Sequence, residues 1–239
     1  MIVEIWSDIA CPWCYVGKRR FEQALERFEH RDAVTVVWRS FELDPGAPPR
    51  HDEPQAVLLA RKYRMPLAQA EAMNARMAGE AAREGLTFRL DRVQVGNTFD
   101  AHRLLHFAAT VGRREALLER LFAAYLGEGE ALGEHEVLVR LGSDVGLDAG
   151  EVAAVLASDR FATDVRRDQA RARAFGVGGV PFFAIDERYG VSGAQPPETV
   201  LEALRTRWAE APAPAPLATL VDGSVDGSVD GCDDGRCAI

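Results

Sequence analysis

A Cys-Pro-Trp-Cys tetrapeptide at positions 11–14 stands between a short apolar run and an amphipathic stretch, and this placement constrains the chain more than any other feature. Upstream, Ile2-Val3-Glu4-Ile5-Trp6 alternates apolar and polar residues and stops at Ser7-Asp8, which predicts a first strand. Downstream, Phe21, Leu25 and Phe28 recur at the spacing of one helical face. The order strand, dithiol, helix puts Cys11 at a helix start, where unpaired backbone N–H groups and the positive end of the macrodipole favour thiolate over thiol. The thiolate is the species that attacks a disulfide sulfur. Cys11 is therefore the expected nucleophile, and Cys14, about one turn on, the group that attacks the mixed disulfide and releases product. Pro12 suits the first helical turn, where its missing N–H would have had no intrahelical partner. Trp13 is an exposed aromatic placed to touch the partner.

The β-branched and aromatic residues at 33–43 predict a second strand, closed by the turn Asp44-Pro45-Gly46. From 53 to about 175 helix formers follow almost without interruption, broken at Met65-Pro66, Gly85, Gly96, Gly112, Gly133 and Gly146. Strand patterning returns at 180–185 and 189–192, close enough to form a hairpin, and Pro197 opens a closing helix. After Glu210 the composition changes to Ala-Pro alternation and a Val-Asp-Gly-Ser repeat, the pattern of a flexible acidic linker. The expected organisation is an α/β part at 1–52, an all-helical insertion at 53–175, a second α/β part at 176–210 and a low-complexity tail at 211–239.

The 239 residues carry 28 Lys and Arg against 37 Asp and Glu, a net charge of −9 that gives no attraction to phosphate backbones or anionic lipid. Neither nucleic acid nor a membrane is an expected partner, and no apolar run approaches a membrane span. The start lacks the pattern of an export signal, so the expectation is a cytoplasmic protein. Four cysteines are too few for a disulfide scaffold in a chain this long, and they fall as two close pairs, Cys11/Cys14 and Cys232/Cys237. A CxxC beside a βαβ pattern reads as a thioredoxin-type redox motif. Zinc is the competing use, but it needs a second ligand pair on a rigid knuckle, and here the other pair hangs on a linker. No metal is expected.

Val180-Pro181 heads a strand with a residue that has no N–H to give, which asks for a positional reason. A cis peptide is one reading, an ordinary trans proline the other. Four segments together resemble the DsbA family of thioredoxin-fold oxidoreductases: 7–17 (Ser-Asp-Ile-Ala-Cys-Pro-Trp-Cys-Tyr-Val-Gly), 97–104 (Asn-Thr-Phe-Asp-Ala-His-Arg-Leu), 175–183 (Phe-Gly-Val-Gly-Gly-Val-Pro-Phe-Phe) and 192–195 (Ser-Gly-Ala-Gln). The similarity is greatest to the FrnE-like branch and covers about residues 1–208. It implies a thioredoxin fold split by a helical domain, Cys11 and Cys14 as the redox pair, and Pro181 as a cis-proline facing them, with Val180 and Pro181 shaping the strand that receives the substrate. The related 2-hydroxychromene-2-carboxylate isomerases and kappa-class glutathione transferases usually carry serine where Cys11 stands. They also carry an acidic residue in the loop corresponding to Gly193-Ala194-Gln195, where it helps bind glutathione. Here that loop is neutral.

The remaining candidates have competing readings. Asn97, Asp100 and His102 begin a helix of the insertion and are placed to line the cleft over Cys11, although Asn97 or Thr98 serves equally as an N-cap and a lone helical histidine more often packs in a core. Asp8 is a candidate influence on the Cys11 thiolate. Met65, Met73 and Met77 suit a peptide-binding face or, more simply, helix packing. Treated as a coil, the linker of 23 residues reaches about 25 Å, enough for Cys232 and Cys237 to visit the active site as an auxiliary redox pair. The expected activity is thiol–disulfide exchange on protein or peptide thiols and disulfides, with no bound cofactor. The alternative is a glutathione-dependent isomerase or transferase acting on a small aromatic or polyketide-like molecule, with glutathione as redox partner or co-substrate. A thiol switch without turnover is a third reading.

Overall fold

The computed structural model describes residues 1–210, so Cys232, Cys237 and the repeat before them lie outside the described residues. Strand β1 (Ile2–Ser7) leads into helix α1 (Pro12–Glu26), which returns the chain to β2 (Thr35–Ser40). Helices α2 (Gln55–Tyr63), α3 (Leu67–Arg83), α4 (Phe99–Thr110), α5 (Arg114–Ala123), α6 (His135–Asp144), α7 (Ala149–Leu156) and α8 (Ala162–Ala174) follow before β3 (Phe182–Ile185), β4 (Tyr189–Ser192) and α9 (Pro197–Ala209). The sheet order is β2-β1-β3-β4. Strand β1 pairs parallel with β2, from Ile2 opposite Thr35 to Ser7 opposite Ser40, a pairing that needs the crossover α1 supplies. It pairs antiparallel with β3, from Val3 opposite Ile185 to Trp6 opposite Phe182. This is a thioredoxin fold with a predominantly helical insertion between β2 and β3. The β3–β4 connection puts Asp186 and Glu187 at φ 48° and 57°, the left-handed backbone that tight hairpin turns use. The Asp186 carboxylate accepts the Ile2 amide at 2.6 Å and so ties the turn back to β1.

Two expectations change. The helical run stops between α3 and α4: Gly85, at φ 74°, closes α3, and Leu86, Phe88 and Leu90 then bury alternate residues of an extended segment. Their spacing of two is that of extended chain, not of a helix. The alternation in β1 predicts a polar outer face, yet Glu4 is 3% exposed, because α8 covers that face. Arg171 of α8 reaches Glu4 at 2.5 Å and Arg39 of β2 reaches it at 2.6 Å. On the opposite face Val3 and Ile5 join α1, α9 and the helices of the insertion in one continuous core. Tyr15 of α1 stacks on Phe122 of α5 with ring centroids 4.8 Å apart, which couples the helix carrying the dithiol to the insertion.

The buried carboxylates make an acid-lability prediction. Burial alone would raise Glu4, but hydrogen bonds from Arg171 and Arg39 more than offset it and hold its carboxyl below the ordinary value of 4.5. Burial would likewise raise Asp168, which His106, the Ser40 amide and Arg39 hold below 3.8. A lowered folded-state pKa contributes stability that is present above the unfolded value and is lost as pH falls through the folded one. The melting temperature of the full chain is therefore expected to fall progressively below about pH 4. A flat profile from about pH 5 to pH 3 in a thermal melt would show that these pairs contribute nothing.

Candidate dithiol site

Cys11 is the residue at which α1 begins, at φ −93° and ψ 111°, with Pro12 in the first helical turn. Its amide donates to the Asp8 carbonyl at 3.1 Å, and the Cys14 amide donates to the Cys11 carbonyl at 3.0 Å, so the motif is held by its own backbone. Both cysteines are free thiols; Cys11 is 5% exposed and Cys14 1%. Trp13 projects beside them at 43% exposure.

The second wall of the site comes from the far end of the chain. The Val180-Pro181 peptide is cis, and the Cys11 thiol donates to the Val180 carbonyl at 3.5 Å. Pro181 is buried against α1 at Gly17, where a Cβ would stand 2.8 Å from Pro181 Cγ. Any larger residue at 17 would push the two apart. The Pro181 carbonyl accepts the Gly193 amide at 2.8 Å, and Arg20 of α1 donates to the Ala194 carbonyl at 2.7 Å, which fastens the neutral 193–195 loop beside the dithiol.

Behind the cysteines lies a buried polar group. Burial pushes the Cys14 thiol well above its ordinary value of 9.0, and the adjacent Cys11 adds to this, while the Ser7 side chain and a backbone contact from Asp8 act weakly in the opposite sense. Asp8 is 1% exposed and accepts hydrogen bonds from the Leu43 amide at 2.8 Å, the Ala10 amide at 3.2 Å and Thr98 Oγ1 at 2.9 Å. His102 Nε2 lies 3.4 Å from its Oδ1. Burial would raise Asp8, but His102 and the backbone donors outweigh it, and the carboxyl sits below 3.8. Tyr125 is pushed up by burial and then by the Asp8 charge.

Of the residues the sequence singles out, Cys11, Pro12, Trp13, Cys14, Val180 and Pro181 converge on one place. His102 reaches it only through Asp8 and is 2% exposed, so it lies under the site and not on its surface. Asn97 braces a loop: its Oδ1 accepts the Phe99 amide at 2.8 Å, two residues on, and its Nδ2 donates to the Ala47 carbonyl at 3.3 Å, while Thr98 holds the N-cap position without a side-chain cap bond. Asp100 pairs with Arg103 at 2.6 Å and His135 at 2.8 Å, away from the cysteines. Met77 is in the core, and Met65 and Met73 are half-buried. Ser7 is the neighbour of Cys14 that sequence reasoning passed over; its signal is a hydroxyl ending a strand face otherwise formed by Val3 and Ile5. Among the described residues no three His, Cys, Asp or Glu side chains gather as a metal site requires, and no helix is long and apolar enough to cross a membrane.

The model of the DSBA-like thioredoxin domain matches residues 2–205. The chain belongs to this family. Among solved structures, this DSBA-like chain is similar to a probable DsbA oxidoreductase from Streptomyces coelicolor, with 48% identity over 97% of this chain and 100% of that one and a TM-score of 0.86. The fold is shared with a 2-hydroxychromene-2-carboxylate isomerase (16% identity, 87% of this chain and 96% of that one, TM-score 0.65). It is also shared with the cytosolic disulfide reductase DsbM from Pseudomonas aeruginosa, solved with GSH (19% identity, 87% and 100% covered, TM-score 0.62). A curated relative, the protein YwbO of Bacillus subtilis, is 40% identical over 50 residues, which is 21% of this chain. The matched segment spans 23% of that relative's length.

Proposed function

We propose that this DSBA-like chain is a thiol–disulfide oxidoreductase whose Cys11 attacks disulfides in protein or peptide substrates and whose Cys14 resolves the mixed disulfide. One observation carries the reading: Cys11 opens a helix beneath the Val180 carbonyl while Cys14 lies buried directly behind it. In the reducing direction the Cys11 thiolate takes one substrate sulfur and the other leaves with its electron pair. Cys14 then displaces the bound sulfur, and the Cys11–Cys14 disulfide closes. The oxidising direction is the reverse of these steps. Val180, Pro181 and the exposed Trp13 form the surface that receives the substrate chain. The protein acts without a bound cofactor in the cytoplasm, with glutathione as one redox partner. The neutral 193–195 loop and a cysteine at position 11 favour this reading over a glutathione-dependent isomerase of the same fold.

A glutathione redox titration tests it. The full chain is expected to show a reversible two-electron transition at Cys11 and Cys14, read by alkylation and mass; absence of any transition would refute the activity. The tail pair is tested in the same titration. A Cys232→Ser/Cys237→Ser chain is expected to shift the transition or remove a second one, and an unchanged curve counts against an auxiliary pair.

A further inference from the structure

At the end of β1 lies a cavity of about 10 Å³, bordered by Ser7, Arg39, Ser40, His102 and Arg114 with Trp38, Leu105 and Leu118 as its apolar wall. That is about the volume one water needs. Of these lining residues, Ser7 and His102 each hold an atom, Oγ and Nδ1, with no hydrogen-bond partner, although the two residues are only 4% and 2% exposed. A native protein rarely leaves two such buried groups at one cavity unpaired. The tautomer follows from the other end of the ring. Asp8 is an ionised carboxylate and can only accept, so in the neutral imidazole His102 Nε2 carries the hydrogen and Nδ1 keeps its lone pair free. The Ser7 side chain is also the one that eases ionisation of Cys14, whose thiol burial pushes up and which must lose a proton before it can attack.

We propose that Ser7, one water molecule and His102 form a proton relay for Cys14, with Asp8 as the residue that positions the imidazole. This rests on the oxidoreductase reading. In the resolving step the Cys14 proton passes through Ser7 and the water to His102 Nδ1 as Cys14 Sγ bonds to Cys11 Sγ. The Cys11–substrate bond breaks, the substrate sulfur leaves with the electron pair as thiolate, and the imidazolium returns the proton to that thiolate by way of solvent. In the reverse direction the imidazolium protonates Cys14 as it leaves the disulfide. The charged and titratable groups facing His102 are Asp8, Arg39 of β2 and Arg114 of α5 at the cavity, and Tyr125 beyond Asp8.

The test uses the reduced full chain carrying Cys232→Ser and Cys237→Ser, mixed with oxidised glutathione, quenched in acid and read by mass. Appearance of the Cys11–glutathione adduct reports the first attack, and its decay reports resolution by Cys14. His102→Gln is expected to slow decay about 100-fold, the range of general acid–base catalysis, while adduct formation stays within about twofold. Its decay rate is also expected to climb with pH from about 6 to 9 where the parent levels off. Ser7→Ala is expected to show the same selective loss, and it decides the matter if His102→Gln does not fold. Decay at the parent rate, or decay and formation slowed equally with parallel pH profiles, overturns the relay. A parent chain that forms no adduct overturns the oxidoreductase reading itself, a result distinguishable from failure of the relay alone.

Discussion

Cys14→Ser protein mixed with a disulfide-containing peptide is expected to accumulate a covalent adduct on Cys11 and stop there, whereas Cys11→Ser forms no adduct at all. The asymmetry comes from burial and position. Cys11 opens α1 and touches the Val180 carbonyl at the face where Trp13 is exposed, while Cys14 sits one turn deeper at 1% exposure. On the proposed activity a substrate sulfur meets Cys11 first, and Cys14 meets only what Cys11 already holds. Loss of the nucleophile is expected to lower exchange by at least about 10³-fold, roughly 4 kcal/mol of transition-state stabilisation. Loss of Cys14 leaves the first attack near its parent rate and removes turnover. Intact-mass measurement after acid quenching separates the two. An adduct on Cys14 in the Cys11→Ser chain, formed as fast as the parent adduct, would reverse the assignment.

Arg103→Ala is expected to be the most damaging single change away from the cysteines, although it touches no reacting atom. The guanidinium is 4% exposed and serves the end of another helix. Its Nε donates to the Arg160 carbonyl at 2.9 Å, Nη2 donates to the Val155 and Ser158 carbonyls, and Nη1 pairs with Asp100. These carbonyls lie at and just beyond the C-terminus of α7, where the helix has acceptors without donors and a negative dipole end. Removing the charge takes the side-chain donor from the Ser158 and Arg160 carbonyls and one partner from Asp100, while the Val155 carbonyl keeps the Ser158 amide and hydroxyl; three charge-assisted bonds are lost at once, about 3–5 kcal/mol. For a chain of this size that lowers the melting temperature by about 10 °C. Arg103→Lys recovers only part of it, since an ammonium cannot reproduce the planar fork. The rate of Cys11 adduct formation at 20 °C is expected to stay near the parent value. A variant that melts like the parent would show the fork to be dispensable.

The local patterns of the chain made the strands, the hairpin, the helix breaks and the dithiol helix readable, because each depends on neighbours a few residues apart. What was not readable depends on distant ones. Glu4 reads as a solvent-facing residue by alternation, and only the arrival of α8, 167 residues later, buries it against Arg171. His102 reads as one polar residue on a helix; its meaning comes from Asp8, 94 positions earlier. Arg103, next to it, shows in the sequence only its i, i+3 spacing from Asp100; its other partners are backbone carbonyls 52 to 57 residues away. The apolar alternation at Leu86, Phe88 and Leu90 was present in the sequence, but the strong helix formers on both sides masked so short a run.

The central place of β1 also governs when the dithiol is sheltered. Its first neighbour, β2, follows within 40 residues, but the Val180 carbonyl that meets Cys11 arrives 169 residues later. At a synthesis rate of about 5–20 residues per second, the nascent chain exposes both thiols for roughly 10–30 s before the segment that closes over them exists. During that interval Cys11 and Cys14 are ordinary thiols on a growing polypeptide, open to oxidation or to capture by other cysteines. The topology that builds the site from both ends of the chain thus leaves the newly made polypeptide, for a time, open to the same disulfide chemistry proposed for its folded form.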